Sequence, residues 1–307
     1  MLRICGEMQP SCLALRAPAK INLYLKILGR RPDGYHELDT LMQKVALYDE
    51  LELSLADAPG IRLICRDADL PEDEGNIVFR AARLFLEQTG RAGQGLRIFL
   101  RKRIPLAAGL GGGSSDAAAV LRGLNQLLAA GCPTEELAAM GVKLGADVPF
   151  FVHDFPAAWA GGIGERLEPA APLRGFTVLL VNPGIAVSTK WAYETFSQTA
   201  GRIALTAAGK KFNLSNFSNE SGLPLRQRAF LPADLLNDLE QVTAEKHCVI
   251  GGLKARLLAA GAAGAMMSGS GSTVFGLFAA GTEAQAESCL RELRQEYGQA
   301  HLAAPLA

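Results

Sequence analysis

The chain lacks a surplus of charge of either sign: 31 Lys and Arg stand against 31 Asp and Glu in 307 residues. A general affinity for nucleic acid, which shows as a basic excess or stripe, is therefore not expected. Disorder is excluded as well, because it needs low hydrophobicity with high net charge, and 49% of these residues are hydrophobic. Cysteine is sparse. Cys5, Cys12, Cys65, Cys132, Cys248 and Cys289 form no Cys-x-x-Cys pair, and His36, His153, His247 and His301 do not fall at zinc spacing beside them. A disulfide scaffold and a cysteine-rich zinc site are thereby set aside. Reduced, mostly buried thiols and a cytoplasmic location are expected. No window approaches the ~18 uninterrupted apolar residues of a membrane span. The stretch 1–12, broken by Glu7, Gln9 and Pro10, has no apolar run suited to a signal peptide and reads as a loose extension. Internal repeats and low-complexity tracts are missing too. Neutrality leaves one question: if the protein handles an anion, its positive potential must be local.

Glycine, by contrast, is plentiful. The 33 glycines are about 11% of the chain against a typical ~7%, and they cluster. Around them the periodicity predicts a mixed α and β chain. Residues 20–28 alternate, with Ile21, Leu23, Leu25 and Ile27 on one face of a half-buried strand. A turn-rich connection with Pro32-Asp33-Gly34 follows, then strands over 45–56, 60–65 and 95–105. An amphipathic helix over 76–90 is capped by Asn76 and stopped by Gly90, with Ile77, Ala81, Leu84 and Phe85 as its buried stripe. Helices are predicted over 114–129 and then from a Thr134 cap to Gly145, with Glu135 and Glu136 near the positive end of the helix dipole. The apolar strand 175–184 opens a second half with helices at 189–196, 232–247, 250–261 and 282–298. Strand, glycine turn and strand occupy 262–279, and the polar stretch 197–232 is expected to be irregular.

The segment 105–116, PLAAGLGGGSSD, lies between a predicted strand and a predicted helix. Gly109, Gly111, Gly112 and Gly113 let backbone approach a ligand closely and accept positive φ. Ser114 and Ser115 sit at the helix N-terminus, where unpaired N–H groups and the dipole favour an anion. A flexible turn is the plain alternative, but strand, glycines, paired serines and helix in that order make a phosphate cradle. It is not a Walker A loop, since no Lys-Ser/Thr follows the glycines. A dinucleotide fingerprint fits poorly, because Glu135 and Glu136 open a helix where an acid at a strand end is needed.

Two further segments join the loop. APAKINL (17–23) puts Lys20 at the start of the first clear strand, and LGADVPFF (144–151) puts Asp147 before Pro149. With MSGSGSTVFGLF (267–278), this set resembles the GHMP small-molecule kinases over nearly the whole chain. The stretches 18–43, with its Asp-Gly-Tyr-His-x-Leu-x-Thr run, and 182–193 resemble one branch of that superfamily. Its members phosphorylate the 2-hydroxyl of a cytidine diphosphate methylerythritol on the non-mevalonate route to isoprenoids.

The resemblance implies a two-domain α+β GHMP kinase fold, with an ATP-binding domain over 1–170, a ferredoxin-like substrate domain over 171–307, and the active site in the cleft. It implies ATP as phosphoryl donor, with magnesium arriving on the nucleotide and no dedicated metal cage. Asp147 matches the catalytic aspartate, with capping or bridging a turn before Pro149 as its plain structural role. Lys20 matches the catalytic lysine, whose ammonium would keep a nearby carboxylate ionised and offset charge on the moving phosphoryl. The ATP-binding run is Pro105, Leu106, Ala107, Ala108, Gly109, Leu110, Gly111, Gly112, Gly113, Ser114 and Ser115, and either Ser115 or Asp116 could assist the metal. Asn22 shares the strand face of Lys20 and is a substrate candidate. Tyr35 and His36 match the cytidine-binding segment, Tyr193 a second aromatic with Thr189 beside it, and Trp191 is the alternative stacker. Gly269 and Gly271 are expected to let the carboxy-terminal turn pack on the phosphate loop, while Ser268 and Ser270 are either structural or ligand contacts. The expected partners are these small molecules alone, with neither membrane nor nucleic acid, in a monomer or homodimer.

Overall fold

The structure, a computed structural model, describes residues 12–206 and 224–307. Its amino-terminal elements are β1 (Cys12–Arg30), β2 (His36–Ala56), β3 (Gly60–Arg66), α1 (Ile77–Gln88), β4 (Gly95–Arg101), α2 (Gly112–Leu127), α3 (Thr134–Leu144) and α4 (Val148–Val152). There follow β5 (Ala157–Gly162), β6 (Arg166–Pro169), β7 (Phe176–Asn182) and α5 (Thr189–Thr206). After two single-turn 3₁₀ helices come β8 (Leu236–Asn237), α6 (Asp238–Lys246), α7 (Val249–Ala259), β9 (Gly264–Met267), β10 (Val274–Ala279), α8 (Glu283–Tyr297) and β11 (Gln299–Ala303). The chain forms two compact units that are not consecutive in sequence: Met1–Pro18, Tyr48–Ile104 and Gly112–Asp154 make the first, and Ala19–Leu47, Pro105–Gly111 and Phe155–Ala307 the second.

In the first unit β3 runs parallel to β4, and β4 pairs antiparallel with the far half of β2, from Glu50↔Arg101 to Ala56↔Gly95. Helix α1 packs on α2 and α3, and the short α4 packs on both α2 and α3. The predicted cap of α1 is present: Asn76 Oδ1 accepts the Val78 N–H at 2.9 Å. Its buried stripe is Val78, Ala81, Ala82, Phe85 and Leu86. Ala81 and Phe85 were expected there, whereas Ile77 and Leu84 lie at the margin, half-buried. Thr134 does not cap α3; Pro133 holds that position without a side-chain bond, and the fixed φ of proline leads the chain into the helix instead.

In the second unit the near half of β2 pairs antiparallel with β5, from Leu38↔Gly162 to Gln43↔Ala157, and β5 with β6. Residues Tyr24 and Leu25 of β1 pair parallel with β8. A separate antiparallel sheet runs β11-β7-β10-β9, with α7 and α8 packed on it. Leu179, Val181, Leu253, Leu257, Val274 and Phe278 belong to its core.

Several sequence expectations are corrected. Strand β1 runs to Arg30 and β2 begins at His36, so the expected connection is shortened to residues 31–35 and the strand expected over 45–56 starts nine residues earlier. The β1 segment Ala19–Leu25 is buried on both faces, so periodicity that suggests a half-buried strand here marks a polar face that is also covered. Helix α5 extends to Thr206, into the stretch expected to be irregular; residues 207–223 of that stretch, like residues 1–11 and Cys5, lie outside the described residues. The span 232–247 opens with a 3₁₀ turn and β8 before α6 begins at Asp238. The thiols are not mostly buried: all five described cysteines are free, and Cys289 alone among them is fully covered. Among the described residues no helix is long and apolar enough to cross a membrane.

Candidate active site

Lys20, Asn22 and Tyr24 alternate along the polar face of β1. A directed chain of hydrogen bonds sets the first two. Thr40 Oγ1 donates its single proton to the Tyr24 carbonyl at 2.6 Å. It therefore accepts from Asn22 Nδ2 at 2.9 Å, which turns Asn22 Oδ1 toward Lys20 Nζ at 2.6 Å. Lys20 is only 4% exposed, and a buried ammonium is tolerable only with such partners.

The same strand is bonded to the glycine loop. Lys20 N–H donates to the Leu110 carbonyl at 2.9 Å. Ser268 Oγ accepts the Asn22 N–H at 3.3 Å and donates to the Gly109 carbonyl at 3.0 Å. Thr273 N–H donates to the Ala108 carbonyl at 3.3 Å. The carboxy-terminal glycine turn therefore packs on the loop as expected, and of its two serines Ser268 is a structural bridge. Ser270 Oγ lies 3.0 Å from Thr189 Oγ1. The turn is braced from behind by Asn237 Nδ2, which donates to the Met267 and Gly269 carbonyls at 2.8 Å each.

Gly109 is the tightest point. Its φ is +75°, and a Cβ there would lie 2.0 Å from the Ser268 carbonyl oxygen. Gly113 is different: a Cβ would meet only Ile77 Cγ2, at 3.5 Å, an ordinary contact. Gly109→Ala is accordingly expected to cost about 1–3 kcal/mol of stability, whereas Gly113→Ala is expected to be neutral or to stabilise α2 by up to ~1 kcal/mol. Denaturant melts of both variants check the pair, and equal effects would contradict it. Ala107 also lies at positive φ, +48°, a conformation unfavourable to a residue with a Cβ.

From Gly112 the chain enters α2 in the first unit. Ser115 is buried at its first turn, and its Oγ has no hydrogen-bond partner among the described residues. The turn before α4 lies beside that helix start, since a Cβ on Gly145 would touch Ser114 Oγ at 3.8 Å. Asp147 precedes α4, half-buried, and its side chain makes no capping bond to that helix.

The aromatic candidates fall in the second unit. Tyr35 is 60% exposed. It is His36, not Tyr35, that the fold brings to Tyr193: their rings stack with centroids 5.1 Å apart and planes at 27°. Trp191 is engaged elsewhere, edge-on to His247 and under Lys246 Nζ at 4.1 Å.

The description "GHMP kinases N terminal domain" matches residues 76–155, and "GHMP kinases C terminal" residues 215–299. A 4-diphosphocytidyl-2-C-methyl-D-erythritol kinase of Desulfotalea psychrophila is 51% identical over 87% of this chain and 85% of its own length. That of Citrifermentans bemidjiense is 46% identical over 94% and 95%. The chain belongs to the 4-diphosphocytidyl-2-C-methyl-D-erythritol kinase family of GHMP kinases. A crystal structure of a 4-(cytidine 5'-diphospho)-2C-methyl-D-erythritol kinase aligns with TM-score 0.75 and 35% identity, over 96% of this chain and 100% of that one. A homoserine kinase from Cytophaga hutchinsonii shares the fold at TM-score 0.69 and 20% identity, over 99% and 98% of the two chains. The two-domain GHMP kinase fold of mixed α and β content is thus the one this chain adopts.

In this GHMP kinase a buried charge cluster also underlies α2, and sequence reasoning missed it. Lys102 Nζ bonds Asp49 Oδ2 and, at 2.7 Å, Asp116 Oδ2. Asp49 Oδ1 accepts the Arg103 and Ile104 N–H groups at 2.6 and 2.9 Å. Burial pushes the Asp116 carboxyl up to about 7 against the pull of Lys102, with Asp49 adding to the rise. Burial also opposes the Lys102 charge, but Asp116 and Asp49 outweigh it and raise its pKa. The two directions agree physically: one ammonium cannot neutralise two buried carboxylates, so the cluster holds an extra proton easily. A lysine three residues before a proline and two distant aspartates carry no local motif, so only the fold identifies them. Thr40, the last residue of the Asp-Gly-Tyr-His-x-Leu-x-Thr run, likewise owes its place beside Asn22 to strand pairing that no local motif encodes. Among the described residues no group of His, Cys, Asp and Glu could hold a metal ion.

Proposed function

We propose that this protein transfers the γ-phosphoryl group of ATP to the 2-hydroxyl of 4-diphosphocytidyl-2-C-methyl-D-erythritol, giving the 2-phosphate and ADP. The observation that carries this reading is the bonding of Lys20 and Asn22 to the glycine loop through Leu110 and Ser268. It is supported by relatives of that name at 43–51% identity over most of the chain. The domain assignment that goes with it gives ATP binding to residues 1–170 and the substrate domain to 171–307.

In this reading the substrate hydroxyl oxygen attacks the γ-phosphorus, the bond from that phosphorus to the bridging oxygen breaks, and ADP leaves. The hydroxyl proton passes to the Asp147 carboxylate. The Lys20 ammonium offsets charge on the transferring group, and N–H groups of the loop and the start of α2 hold the phosphates. ATP enters as its magnesium complex, part of the substrate. Asp116 Oδ2 bonds Lys102, while Ser115 Oγ and Asp116 Oδ1 are both buried without a hydrogen-bond partner among the described residues, so both stand as candidates to meet the magnesium nucleotide. The exposed ring of Tyr35 offers a stacking face to the cytosine and His36 its polar edge. Tyr193 backs His36.

The test is ADP production in a coupled assay. ADP release dependent on the cytidylyl compound is expected, with none from mevalonate, homoserine or a sugar. Turnover of homoserine with none of the cytidylyl compound would overturn the reading.

A further inference from the structure

The pairing of Ser197 with His36 has no place in the chemistry above. Ser197 lies on α5, one turn beyond Tyr193. Its Oγ is 2.5 Å from His36 Nε2 and 3.1 Å from the Tyr193 carbonyl oxygen. A serine hydroxyl has one proton, and a carbonyl only accepts. If that proton went to His36, the serine and carbonyl oxygens would face each other at 3.1 Å with lone pairs alone. Given to the carbonyl, as serines in helices often do, it leaves Oγ as an acceptor. His36 Nε2 must then carry the hydrogen. Burial, with Arg30 nearby, lowers the His36 pKa, so the ring is neutral at neutral pH and has one N–H. Nδ1 is left as a lone pair, and it has no hydrogen-bond partner among the described residues. The stack on Tyr193 fixes the plane of the ring.

We infer that Ser197 is a specificity-determining positioning residue. It locks His36 in the Nε2–H tautomer, so that Nδ1 presents an acceptor to the 4-amino group of cytosine and refuses the 4-carbonyl of uracil. This rests on the cytidylyl reading of the substrate. Cytosine carries a donor at position 4 where uracil carries an acceptor, so a fixed lone pair accepts one and repels the other. A site built to pair with a substrate N–H discriminates strongly, because the wrong ligand leaves buried polar groups unpaired. An unlocked imidazole could present either face, and the selection would weaken.

The experiment compares wild type, Ser197→Ala and Ser197→Thr on the cytidylyl substrate and its uridylyl counterpart. The ¹⁵N shifts of the His36 ring nitrogens are recorded in parallel on the free proteins. Wild type is expected to show a protonated Nε2 and an unprotonated Nδ1. Ser197→Ala is expected to show a tautomer mixture and to lose about tenfold in kcat/KM discrimination between the two substrates, through KM rather than kcat, with KM for ATP unchanged. Ser197→Thr, which keeps the hydroxyl, is expected to restore both readouts. A merely structural role would lower the melting temperature without changing the ratio. An unchanged tautomer and ratio in Ser197→Ala, or an Nδ1–H wild type, would overturn the inference and leave the kinase reading standing. Failure of the wild type to turn over the cytidylyl compound would instead remove the kinase reading, and the specificity inference with it, whatever the ¹⁵N shifts show.

Discussion

Asp147→Asn is expected to lower kcat by about 10²–10⁴-fold, the range that general-base catalysis supplies, with KM for ATP and for the cytidylyl substrate little changed. Asparagine keeps the shape of the side chain and can still accept a hydrogen bond at one oxygen, but it cannot take up the proton that the attacking hydroxyl must lose. The substitution should not unfold the protein. Asp147 is half-buried and makes no capping bond to α4, so no helix end depends on its charge. Lys20→Ala is expected to reduce kcat strongly as well. It removes an ammonium that Asn22 orients and that would otherwise offset charge developing on the phosphoryl group. Single-turnover assays with both variants separate the chemical step from product release. Wild-type rates in both would end the role assignments while leaving the family membership untouched.

The second large effect falls on stability. Lys102→Met is expected to destabilise the protein by about 3–5 kcal/mol, because breaking a buried ion pair from one side strands the other charge. Two carboxylates are stranded here: Asp49 is fully buried and Asp116 nearly so. Methionine matches the length of the lysine stem, so loss of packing contributes little. Asp116→Asn is expected to be milder, since it removes one excess negative charge and leaves an oxygen for Lys102. The double variant Lys102→Met/Asp116→Leu should recover part of the loss, and a double-mutant cycle from denaturant melts measures how much. Equal stability of wild type and Lys102→Met would show that the cluster does not hold the base of α2. The pH dependence has a definite sign. In the folded state Asp116 keeps its proton from its ordinary value of 3.8 up to about 7, while in the unfolded chain it releases it near 3.8. The native state binds more protons in that window. The contribution of Asp116 is therefore fully present below the unfolded value and is lost as pH rises through about 7.

The zero net charge raised the question of where an anion would find positive potential. In the proposed reading the answer is local. Lys20 is buried beside Asn22 and bonded through its backbone to Leu110, and the N-terminus of α2 follows the glycines. Neither needs a bulk excess of lysine or arginine.

What the sequence determined by itself is whatever is encoded over a few neighbouring residues. The strand–glycines–serines–helix order over 95–129, the Asn76 cap, the β9–turn–β10 hairpin and the spacing of Lys20 and Asn22 on one strand face all follow from local periodicity and turn chemistry. These motifs carried the family resemblance and with it the kinase reading. The tertiary structure decided what depends on residues far apart in the chain. Ser268 lies 246 positions from Asn22 and fastens it to the glycine loop. Lys102 meets Asp49 across 53 positions. The turn at Pro32, Asp33 and Gly34 was legible, but not that β2 starts directly after it at His36 and runs long enough for its halves to pair with β5 and β4 in different units. His36, rather than Tyr35, stacks on Tyr193 and meets Ser197 across 161 positions. The physical reason is common to all of these. A side chain's charge state, tautomer and hydrogen-bond direction are set by the groups that exclude water around it, and at these sites those groups come from distant segments.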